Sequence, residues 1–579
     1  MGSLDMADTF DYIIAGGGTA GCVVAHRLAD DTNAKILIVE AGAHNKDLEN
    51  VHMVGGWSKN FDGPEDWNIV SEPQPGADDR QIKLSRGRFL GGSSGVNGTL
   101  CIRGCKQDYD DWDLSGWDGE QFFAAMRKAE TFHTKDWFTP AKGAHGTSGP
   151  LHNEPHDLAP ISNLIMESFQ SQGMPYNEDM FTTGETPHGC GHATRTHYKG
   201  LPGTTGADFV TNDHHRDNIE ILVNTVVDKV NIRQTNDGLQ AHSVDLIGPD
   251  GTWRTVHAQR EIIVSGGAYC TPTILMRSGI GPAAELKKHD VQTVVDAPGV
   301  GQNLLDHLIV FAFYETEKEG LTTDYKVYHG NSLATTYEQW KKEKTGFLTS
   351  FPFGAFAFAR LDDRLKDEPL WKEAQAQAAP GRDPMGLTKK QPNIEFFTTE
   401  CYGGPKQYDQ FPVDNKHAFA MITELFSPRS KGTVTLRSKD PMDNPVVDPN
   451  WLSDPLDVLV LSEGVKLGNE VIMQGKGTSG IVKGAWPADL THHGYTTREQ
   501  WVPYVKQQAT TCYHAAGTCK MGKADDKMAV LDEKLRVRGV KGLRVADVSV
   551  MPTLHGGHTQ MPAYGIGERA ADFIKEAWA

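Results

Sequence analysis

A short apolar run, a glycine-rich turn and an amphipathic segment open the chain. Residues 10–15 read FDYIIA, a β-branched and apolar run typical of a buried parallel strand. Gly16, Gly18 and Gly21 then occupy the glycine places of G-x-G-x-x-G, and residues 22–29 carry apolar side chains at helical spacing. Strand, glycine turn and helix predict a dinucleotide site, because the glycines let a pyrophosphate approach the N–H groups at a helix N-terminus.

A second apolar run supports this prediction. Residues 35–39 read KILIV and lead directly into Glu40. At this distance from the glycines, an acidic residue accepts hydrogen bonds from a ribose hydroxyl. The motif alone leaves NAD(P) and FAD open. Its position at the head of 579 residues, a length that predicts more than one domain, favours FAD.

Periodic stretches continue along the chain. Alternating or apolar runs predict strands at 218–223, 226–230, 243–247, 260–264, 431–437 and 543–547. A Gly-Pro-Asp-Gly turn at 248–251 lies between two of these runs and predicts a hairpin. Charged residues at 337–344 and the segment 565–574 predict helices, the latter closing the chain.

Two further segments predict contact with a ligand. Residues 86–104 read RGRFLGGSSGVNGTLCIRG, a glycine–serine run flanked by apolar residues, which favours a loop that approaches a ligand closely over a flexible surface loop. Phe351/Phe353 and Phe356/Phe358 each repeat at period two, so each pair places its rings on one face of a strand. Most such rings are core residues, but we predict that some of these four line an apolar substrate pocket.

Composition narrows the function classes. A formal net charge of −18 argues against nucleic acid and against anionic membrane surfaces as partners. No run of 18 apolar residues is present, and the N-terminus lacks the basic and apolar regions of a secretory signal. The C-terminus is not a peroxisomal tripeptide, so a cytoplasmic protein is expected. None of the eight cysteines forms C-x-x-C or has a paired histidine at zinc spacing, which predicts reduced thiols and no metal site.

Six stretches, in order along the chain, resemble those of the glucose–methanol–choline oxidoreductases, which carry FAD. They are GGGTAG (16–21) with Glu40, RGRFLGGSSGVNG (86–98), GAYCTPTILMRSGIGP (267–282), PGVGQNLLDH (298–307), GTVTL (432–436) and LRVADVSVMPTLHGGHTQMPAYGIGERAAD (543–572). The resemblance runs from about residue 10 to 575, effectively the whole chain.

The resemblance implies an α/β fold with two domains. A Rossmann-like FAD-binding domain would comprise residues 8–160, 215–310 and 525–579. A second, α+β substrate domain, built on an antiparallel sheet, would comprise residues 161–214 and 311–524.

The resemblance also implies roles for single residues. Thr19, Ala20, Glu40 and Ala41 would meet the pyrophosphate and adenosine, the segment 97–100 would run beside the flavin, and Asp547 with the residues after His558 would hold the ribityl chain and pyrimidine end. The full set implied to bind FAD is Gly16, Gly18, Thr19, Ala20, Gly21, Glu40, Ala41, Trp67, Gly91, Gly92, Asn97, Gly98, Thr99, Leu100, Val227, Ala546, Asp547, His558, Thr559, Gln560 and Met561.

Two histidines are the candidate catalytic residues. Hydride leaves an alcohol carbon easily only as the hydroxyl loses its proton, and histidine is a base that is neutral near pH 7. The family's pattern places one histidine at His514 and a histidine or asparagine at His558; HTQ at 558–560 looks most like aryl-alcohol oxidases. Cys512, two residues before His514, is interpreted as a packing residue.

The expected function is FAD-dependent oxidation of a primary, aromatic or apolar alcohol to an aldehyde, with a role in secondary metabolism. His514 would accept the hydroxyl proton, His558 would hydrogen-bond the substrate oxygen, and the hydride would pass to flavin N5. O₂ or a quinone would reoxidise the flavin. A hydroxynitrile lyase, in which FAD is only structural, is the alternative, since such lyases also resemble this family.

Overall fold

The computed structural model describes residues 8–211, 216–403 and 415–579. Its strands are β1 Thr9–Ala15, β2 Ile36–Val39, β3 Glu130–Phe132, β4 Leu151–Pro155, β5 Gly189–Gly191, β6 Thr194–Arg195, β7 His197–Tyr198, β8 Leu201–Pro202, β9 Ile219–Leu222, β10 Val226–Thr235, β11 Gly238–Ile247, β12 Trp253–Val264, β13 Ile280–Gly281, β14 Val295–Asp296, β15 Leu308–Thr316, β16 Phe353–Ala359, β17 Ile394–Thr399, β18 His417–Leu425, β19 Thr433–Thr435, β20 Val446–Asp448, β21 Val482–Ala485, β22 Thr510–Thr511 and β23 Leu543–Val545.

The α-helices connect and cover these strands. They are α1 Thr19–Asp31, α2 Lys106–Asp110, α3 Gly119–Lys128, α4 Pro160–Ser171, α5 Met180–Thr183, α6 Gly267–Arg277, α7 Ala283–Lys288, α8 Ser332–Glu343, α9 Asp362–Leu365, α10 Pro369–Gln377, α11 Pro455–Gln474, α12 Arg498–Gln508 and α13 Gln560–Ala577. Across the described ranges, no helix combines the length and apolar character that a membrane crossing requires.

A seven-stranded sheet that contains β1 confirms the predicted α/β fold. Its order is β10-β11-β12-β1-β2-β9, with β23 pairing to β12. The strands β23, β12, β1, β2 and β9 are parallel, whereas β10 and β11 join β12 as an antiparallel arm. The residues of β2 are all buried, as a parallel strand covered on both faces requires. Helices α1 and α13 pack against each other beside this sheet.

A second, antiparallel sheet confirms the other half of the predicted fold. Its order is β21-β15-β18-β17-β16-β5, with β22 pairing to β15. One face packs on α11 and carries Ile394, Phe396 and Met421, and the other face carries Phe356 and Phe397. Both faces are therefore buried. The predicted division of the chain into two discontinuous domains stays a prediction, and its boundary at 214–215 involves residues outside the described ranges.

Several predicted elements differ in length from the observed ones. The hairpin predicted at the 248–251 turn is confirmed, since β11 and β12 pair antiparallel across it. β10 and β11 form another hairpin and are longer than the predicted strands, because residues 232–235 also pair with residues 238–241. The predicted strand 431–437 shortens to Thr433–Thr435, which pairs with β20. The closing helix starts earlier, at Gln560. Phe351 lies before β16 begins, and a register shift separates Phe353 from Phe356, so the four rings do not form one regular row.

Candidate active site

The glycine turn between β1 and α1 leaves backbone open to a ligand. Gly16 has a φ of +116°, and a Cβ on it would lie 2.4 Å from the Ser265 carbonyl oxygen, so only glycine fits. A Cβ on Gly18 would meet only that same oxygen, at 3.8 Å. Gly18 is the N-cap residue of α1, and no side chain caps the helix there. The N–H groups of the first turn are thus available for an anion such as a pyrophosphate.

Glu40 lies directly beside this turn. One carboxylate oxygen accepts the N–H of Gly17 at 3.1 Å and the other accepts the N–H of Gly42 at 2.8 Å. Burial raises the pKa of this carboxyl above its ordinary value. Each oxygen still has a second lone pair, so the carboxylate is held in place and can accept a ribose hydroxyl.

One cavity is lined by most of the residues predicted to bind the cofactor. Those that line it are Gly16, Gly18, Thr19, Ala20, Glu40, Ala41, Trp67, Gly92, Asn97, Gly98, Leu100, Val227, Asp547, His558, Thr559 and Gln560. They come from the glycine turn, the residues after β2, the loop containing Trp67, the 86–104 loop, β10 and the segment leading into α13. A glycine cradle, a helix N-terminus and a buried acid at one end of the cavity fit the dinucleotide half of FAD.

Five of the predicted cofactor residues do not line the cavity: Gly21, Gly91, Thr99, Ala546 and Met561. Two of them, Gly21 and Gly91, contact the glycine turn that lines the cavity. A Cβ on Gly21 would lie 2.2 Å from the Gly16 carbonyl oxygen, so this glycine allows the helix to close onto the turn. The Gly91 N–H donates to the Gly17 carbonyl at 2.7 Å and joins the 86–104 loop to the turn.

His514 and His558 lie together in the wall of the same cavity. Their ring centroids are 4.7 Å apart and the rings are nearly perpendicular, at 82°. The sequence separates these histidines, and the fold brings them together. His514 follows β22. The backbone N–H of His558 donates to the Ile102 carbonyl at 3.0 Å.

Two acidic residues hold His514, one through its ring and one through its backbone. Its Nδ1 lies 3.1 Å from Oε1 of Glu424, and its backbone N–H donates to Asp306 at 2.9 Å. Since Nδ1 is engaged there, the opposite ring nitrogen, Nε2, is the atom available to the cavity. Burial lowers the pKa of His514 to about 3, so the ring is neutral at physiological pH.

His558 has the opposite electrostatic environment. Its Nε2 lies 2.8 Å from Oε2 of Glu395 and 3.8 Å from Oε2 of Glu424. Burial opposes a charge on this ring, but the two carboxylates outweigh burial and raise the pKa of His558 above its ordinary value. Neutral His514 beside a readily protonated His558 is a pair with different proton affinities, as acid–base chemistry requires.

Strand pairing in the second sheet assembles this group. Glu395 on β17 and Glu424 on β18 are direct cross-strand partners, so both side chains extend from the same face. β22 pairs with the start of β15, and the Cys512 N–H donates to the His307 carbonyl at 2.9 Å. This end of the sheet thus gathers two carboxylates, His307, Cys512 and His514, and the last two line the cavity.

Sequence reasoning missed Glu395, Glu424, Asp306 and His307. The first two had a usable signal: each is a carboxylate within an otherwise apolar strand sequence, IEFF at 394–397 and ITEL at 422–425. Acidic residues in such strands are rarely buried without a partner. Asp306 and His307 lie in the 298–307 stretch that carried the family resemblance, but nothing local connects them to His514.

Cys512 lies in the cavity wall beside this group, and its interpretation as a packing residue stays a prediction. Its thiol lies 3.2 Å from Oε2 of Glu424, and burial raises the pKa of the thiol well above its ordinary value. Glu424, Cys512, His514 and His558 place potential ligand atoms within 4.8 Å of one another, a set that could hold a metal ion. Cysteine spacing alone did not indicate this set.

The four candidate phenylalanines separate into two pairs. Phe351 and Phe353 line the cavity, together with Phe61, Phe311 and Phe397. Phe356 and Phe358 do not. They are fully buried in the core, where the Phe358 ring packs edge-on against Phe181 at 4.8 Å. The cavity wall near the histidines is therefore aromatic, but only half of the predicted rings form it.

Two protein-family models match the chain, and both describe GMC oxidoreductases. The N-terminal model matches residues 10–309 and the C-terminal model matches residues 428–567. Together the matched segments include the glycine turn and both histidines.

Curated proteins match over nearly the full length. An oxygen-dependent choline dehydrogenase of Sinorhizobium fredii is 31% identical and covers 97% of this chain and 95% of its own. The mitochondrial choline dehydrogenase of Mus musculus is also 31% identical, over 98% of this chain and 90% of its own.

Solved structures also match nearly end to end. A variant of Aspergillus oryzae RIB40 formate oxidase, studied for FAD modification, superimposes with a TM-score of 0.91 at 29% identity and covers 99% of both chains. A fungal aryl-alcohol oxidase, at 24% identity, shares the fold with a TM-score of 0.80 over 99% of both chains.

Proposed function

The chain belongs to the GMC oxidoreductase family of FAD-dependent enzymes, and from this premise we propose that it oxidises a primary alcohol to an aldehyde. The observation that carries the proposal is the pair His514 and His558, which share one cavity with the dinucleotide cradle and differ in proton affinity. A carboxylate supports each ring from the side away from the cavity.

His514 is the proposed base. A neutral imidazole whose Nδ1 is engaged by Glu424 presents Nε2 to a hydroxyl in the cavity. The alcohol proton moves to Nε2 as negative charge grows on the substrate oxygen. The ionised Glu424 behind the ring then stabilises the imidazolium that forms, as the aspartate does in a Ser-His-Asp triad.

His558 is the proposed hydrogen-bond donor to the substrate oxygen. Because Glu395 engages its Nε2, the Nδ1 atom is the one left for the cavity. A protonated ring donates to the developing alkoxide through a charge-assisted bond. Bound FAD supplies the hydride acceptor, and O₂ or a quinone is the proposed final electron acceptor.

The cavity wall supports an aromatic or apolar substrate. Phe351, Phe353 and Phe397 line it together with Ile309 near the histidines. Such a wall favours a benzylic or similarly apolar alcohol over a sugar, whose hydroxyls need several polar partners. A cytoplasmic location and a role in secondary metabolism stay predictions.

The test is anaerobic reduction of the bound flavin in the His514→Ala variant. Loss of a general base lowers the reduction rate by about 10²–10⁴-fold. The control variant is His133→Ala, which replaces a histidine outside this cavity and keeps the wild-type rate. Flavin reduction at the wild-type rate in His514→Ala would refute the assignment.

A hydroxynitrile lyase is the rival function. In that case alcohols leave the flavin oxidised, while an aromatic hydroxynitrile is cleaved. The same anaerobic experiment on the wild-type enzyme distinguishes the two, because only an oxidoreductase bleaches its flavin.

A further inference from the structure

One carboxylate oxygen and two imidazole nitrogens lie within hydrogen-bonding distance of one another behind the cavity. Oε1 of Glu424 lies 3.1 Å from Nδ1 of His514 and 2.9 Å from Nδ1 of His307, and the two Nδ1 atoms are 3.0 Å apart. All three side chains are buried. Each nitrogen thus has two possible partners, and the positions of the protons decide which atoms bond.

The proton of His307 can be assigned from its surroundings. Its Nε2 is buried and has no hydrogen-bond partner among the described residues. A buried N–H without an acceptor costs more than an unfilled lone pair at the same place. The proton therefore sits on Nδ1, which points at both Glu424 and His514.

Two arrangements of His514 follow. If the carboxylate accepts from both rings, Nδ1 of His514 carries a proton and Nε2 is a lone pair facing the cavity. If the carboxylate is absent, the His307 N–H donates to Nδ1 of His514, and the His514 proton moves to Nε2. Only the first arrangement leaves a base for the substrate.

Glu424 is constrained to act as an acceptor. Its second oxygen, Oε2, accepts the Cys512 thiol at 3.2 Å and faces the His558 ring at 3.8 Å. Although burial opposes ionisation, the charge of His558 and the neighbouring rings hold the pKa of Glu424 well below its usual range. An ionised carboxylate has no proton to donate, so both imidazoles must donate to it.

We propose that Glu424 is a positioning residue that fixes the tautomer of His514. Without the Glu424 carboxylate, the His307 N–H would donate to Nδ1 of His514 and favour the opposite tautomer. This inference rests on the proposed role of His514 as base. In a Ser-His-Asp triad, replacing the orienting aspartate by asparagine leaves the geometry intact but lowers kcat about 10⁴-fold through the wrong tautomer.

The test is a pair of variants, Glu424→Leu and Glu424→Leu/His307→Phe. Leucine removes the acceptor, so we expect flavin reduction to slow by about 10²–10⁴-fold, close to the loss in His514→Ala. Phenylalanine at 307 then removes the competing donor, so the double variant reduces its flavin faster than Glu424→Leu does. A second substitution that restores rate is not expected of residues that merely support the fold.

The Glu424→Gln variant tests the tautomer role of Glu424 independently, without placing an apolar side chain beside the histidines. Its amide oxygen still accepts from both rings, so it keeps the tautomer and slows reduction less than leucine does. Glu400→Gln is the matched control, because Glu400 is also buried and accepts from His156 at 3.1 Å, but it does not line the cavity. We expect its rate to stay close to that of wild type. FAD content and melting temperature are measured for every variant.

The outcomes separate this inference from the proposed function. A wild-type rate in His514→Ala refutes the function itself. A slow His514→Ala, together with a double variant no faster than Glu424→Leu, refutes only the tautomer role of Glu424. A Glu424→Gln variant as slow as Glu424→Leu, with FAD and melting temperature retained, also contradicts it.

Discussion

The cofactor turn and the histidine–carboxylate group lie in one cavity but are built in opposite ways. The turn is continuous in sequence from β1 to Glu40, and its contacts are mostly backbone N–H groups and carbonyls. The histidine–carboxylate group consists of side chains from five separate stretches, namely Asp306 with His307, Glu395, Glu424, Cys512 with His514, and His558. The residues that identify the turn are close together in sequence, although Ser265 and Gly91 contact it from other segments. The histidine–carboxylate group, in contrast, exists only once β17 and β18 have paired in register.

This difference predicts different failures. Substitutions in the turn should lose the cofactor while leaving the histidines in place. Substitutions in the histidine–carboxylate group should keep the cofactor and lose rate. The first and third predictions below test that contrast, and the second and fourth refine it.

The largest expected effect is loss of FAD in Gly16→Ala. The added Cβ would lie 2.4 Å from the Ser265 carbonyl oxygen, at a φ of +116° that alanine rarely adopts. We expect FAD binding to weaken by more than about 100-fold, measured as flavin absorbance per protein after purification. Gly143→Ala is the control, since Gly143 also has a positive φ but no atom within 4 Å of the added Cβ. A Gly16→Ala enzyme that retains full FAD would contradict the assignment of this turn to cofactor binding.

The second prediction contrasts two rings of one strand. Phe356 is fully buried in the core, so Phe356→Ala should lower the free energy of unfolding by about 3–5 kcal/mol. Phe353 lines the cavity and is partly exposed, so Phe353→Ala should cost less stability and raise the Kd for an aromatic alcohol. Denaturant unfolding and substrate titration measure the two effects. Equal losses of stability would contradict the division of the rings.

The two regions also differ in how far the sequence predicts them. The turn was predictable because its signals, an apolar run, three glycines and an acid, are adjacent in the chain. His514 and His558 were predictable only through family resemblance, since neither has a local signature of a base. Glu395 and Glu424 were missed because their meeting depends on the register of β17 and β18, which strand periodicity does not specify.

The aromatic rings show the same limit at the level of single strands. Period-two spacing correctly placed Phe356 and Phe358 on one face of β16. It did not reveal that Phe351 and Phe353 line the cavity instead. Phe351 precedes β16, and a register shift separates Phe353 from Phe356. Alternation predicts that residues share a face. It does not predict what covers that face.

The third prediction concerns the acid of the turn. Glu40→Gln keeps one acceptor oxygen for backbone N–H but loses the charge that strengthens a bond to a ribose hydroxyl. We expect FAD to bind about 10-fold more weakly, as for loss of one charge-assisted hydrogen bond. Titration of the apoenzyme with FAD measures this. The flavin-reduction rate of the loaded variant should match wild type, and a large loss of rate would contradict the separation of the two regions.

The smallest expected effect is an alkaline decline in the flavin-reduction rate. His558 faces Glu395, Glu424, His514 and Arg195, and the net effect is a raised pKa, so the protonated ring is present at low pH and lost as pH rises through that pKa. We expect a decline of about 10-fold in total, centred above the ordinary pKa of histidine. His514, with a pKa near 3, adds no decline at neutral pH. The His558→Asn enzyme should be slower but lack the alkaline step, and an unchanged step there would assign it to another group.

Alcohol oxidation in this cavity is the proposed activity on which all the residue roles depend. The most direct measurement is anaerobic mixing of the FAD-loaded enzyme with benzyl alcohol and with its α-dideuterated form, following the flavin and the aldehyde together. We expect the flavin to bleach, one aldehyde to form per flavin, and the deuterated alcohol to react more slowly. A flavin that stays oxidised with benzylic, furanic and aliphatic alcohols alike, in an enzyme that cleaves an aromatic hydroxynitrile, would contradict it.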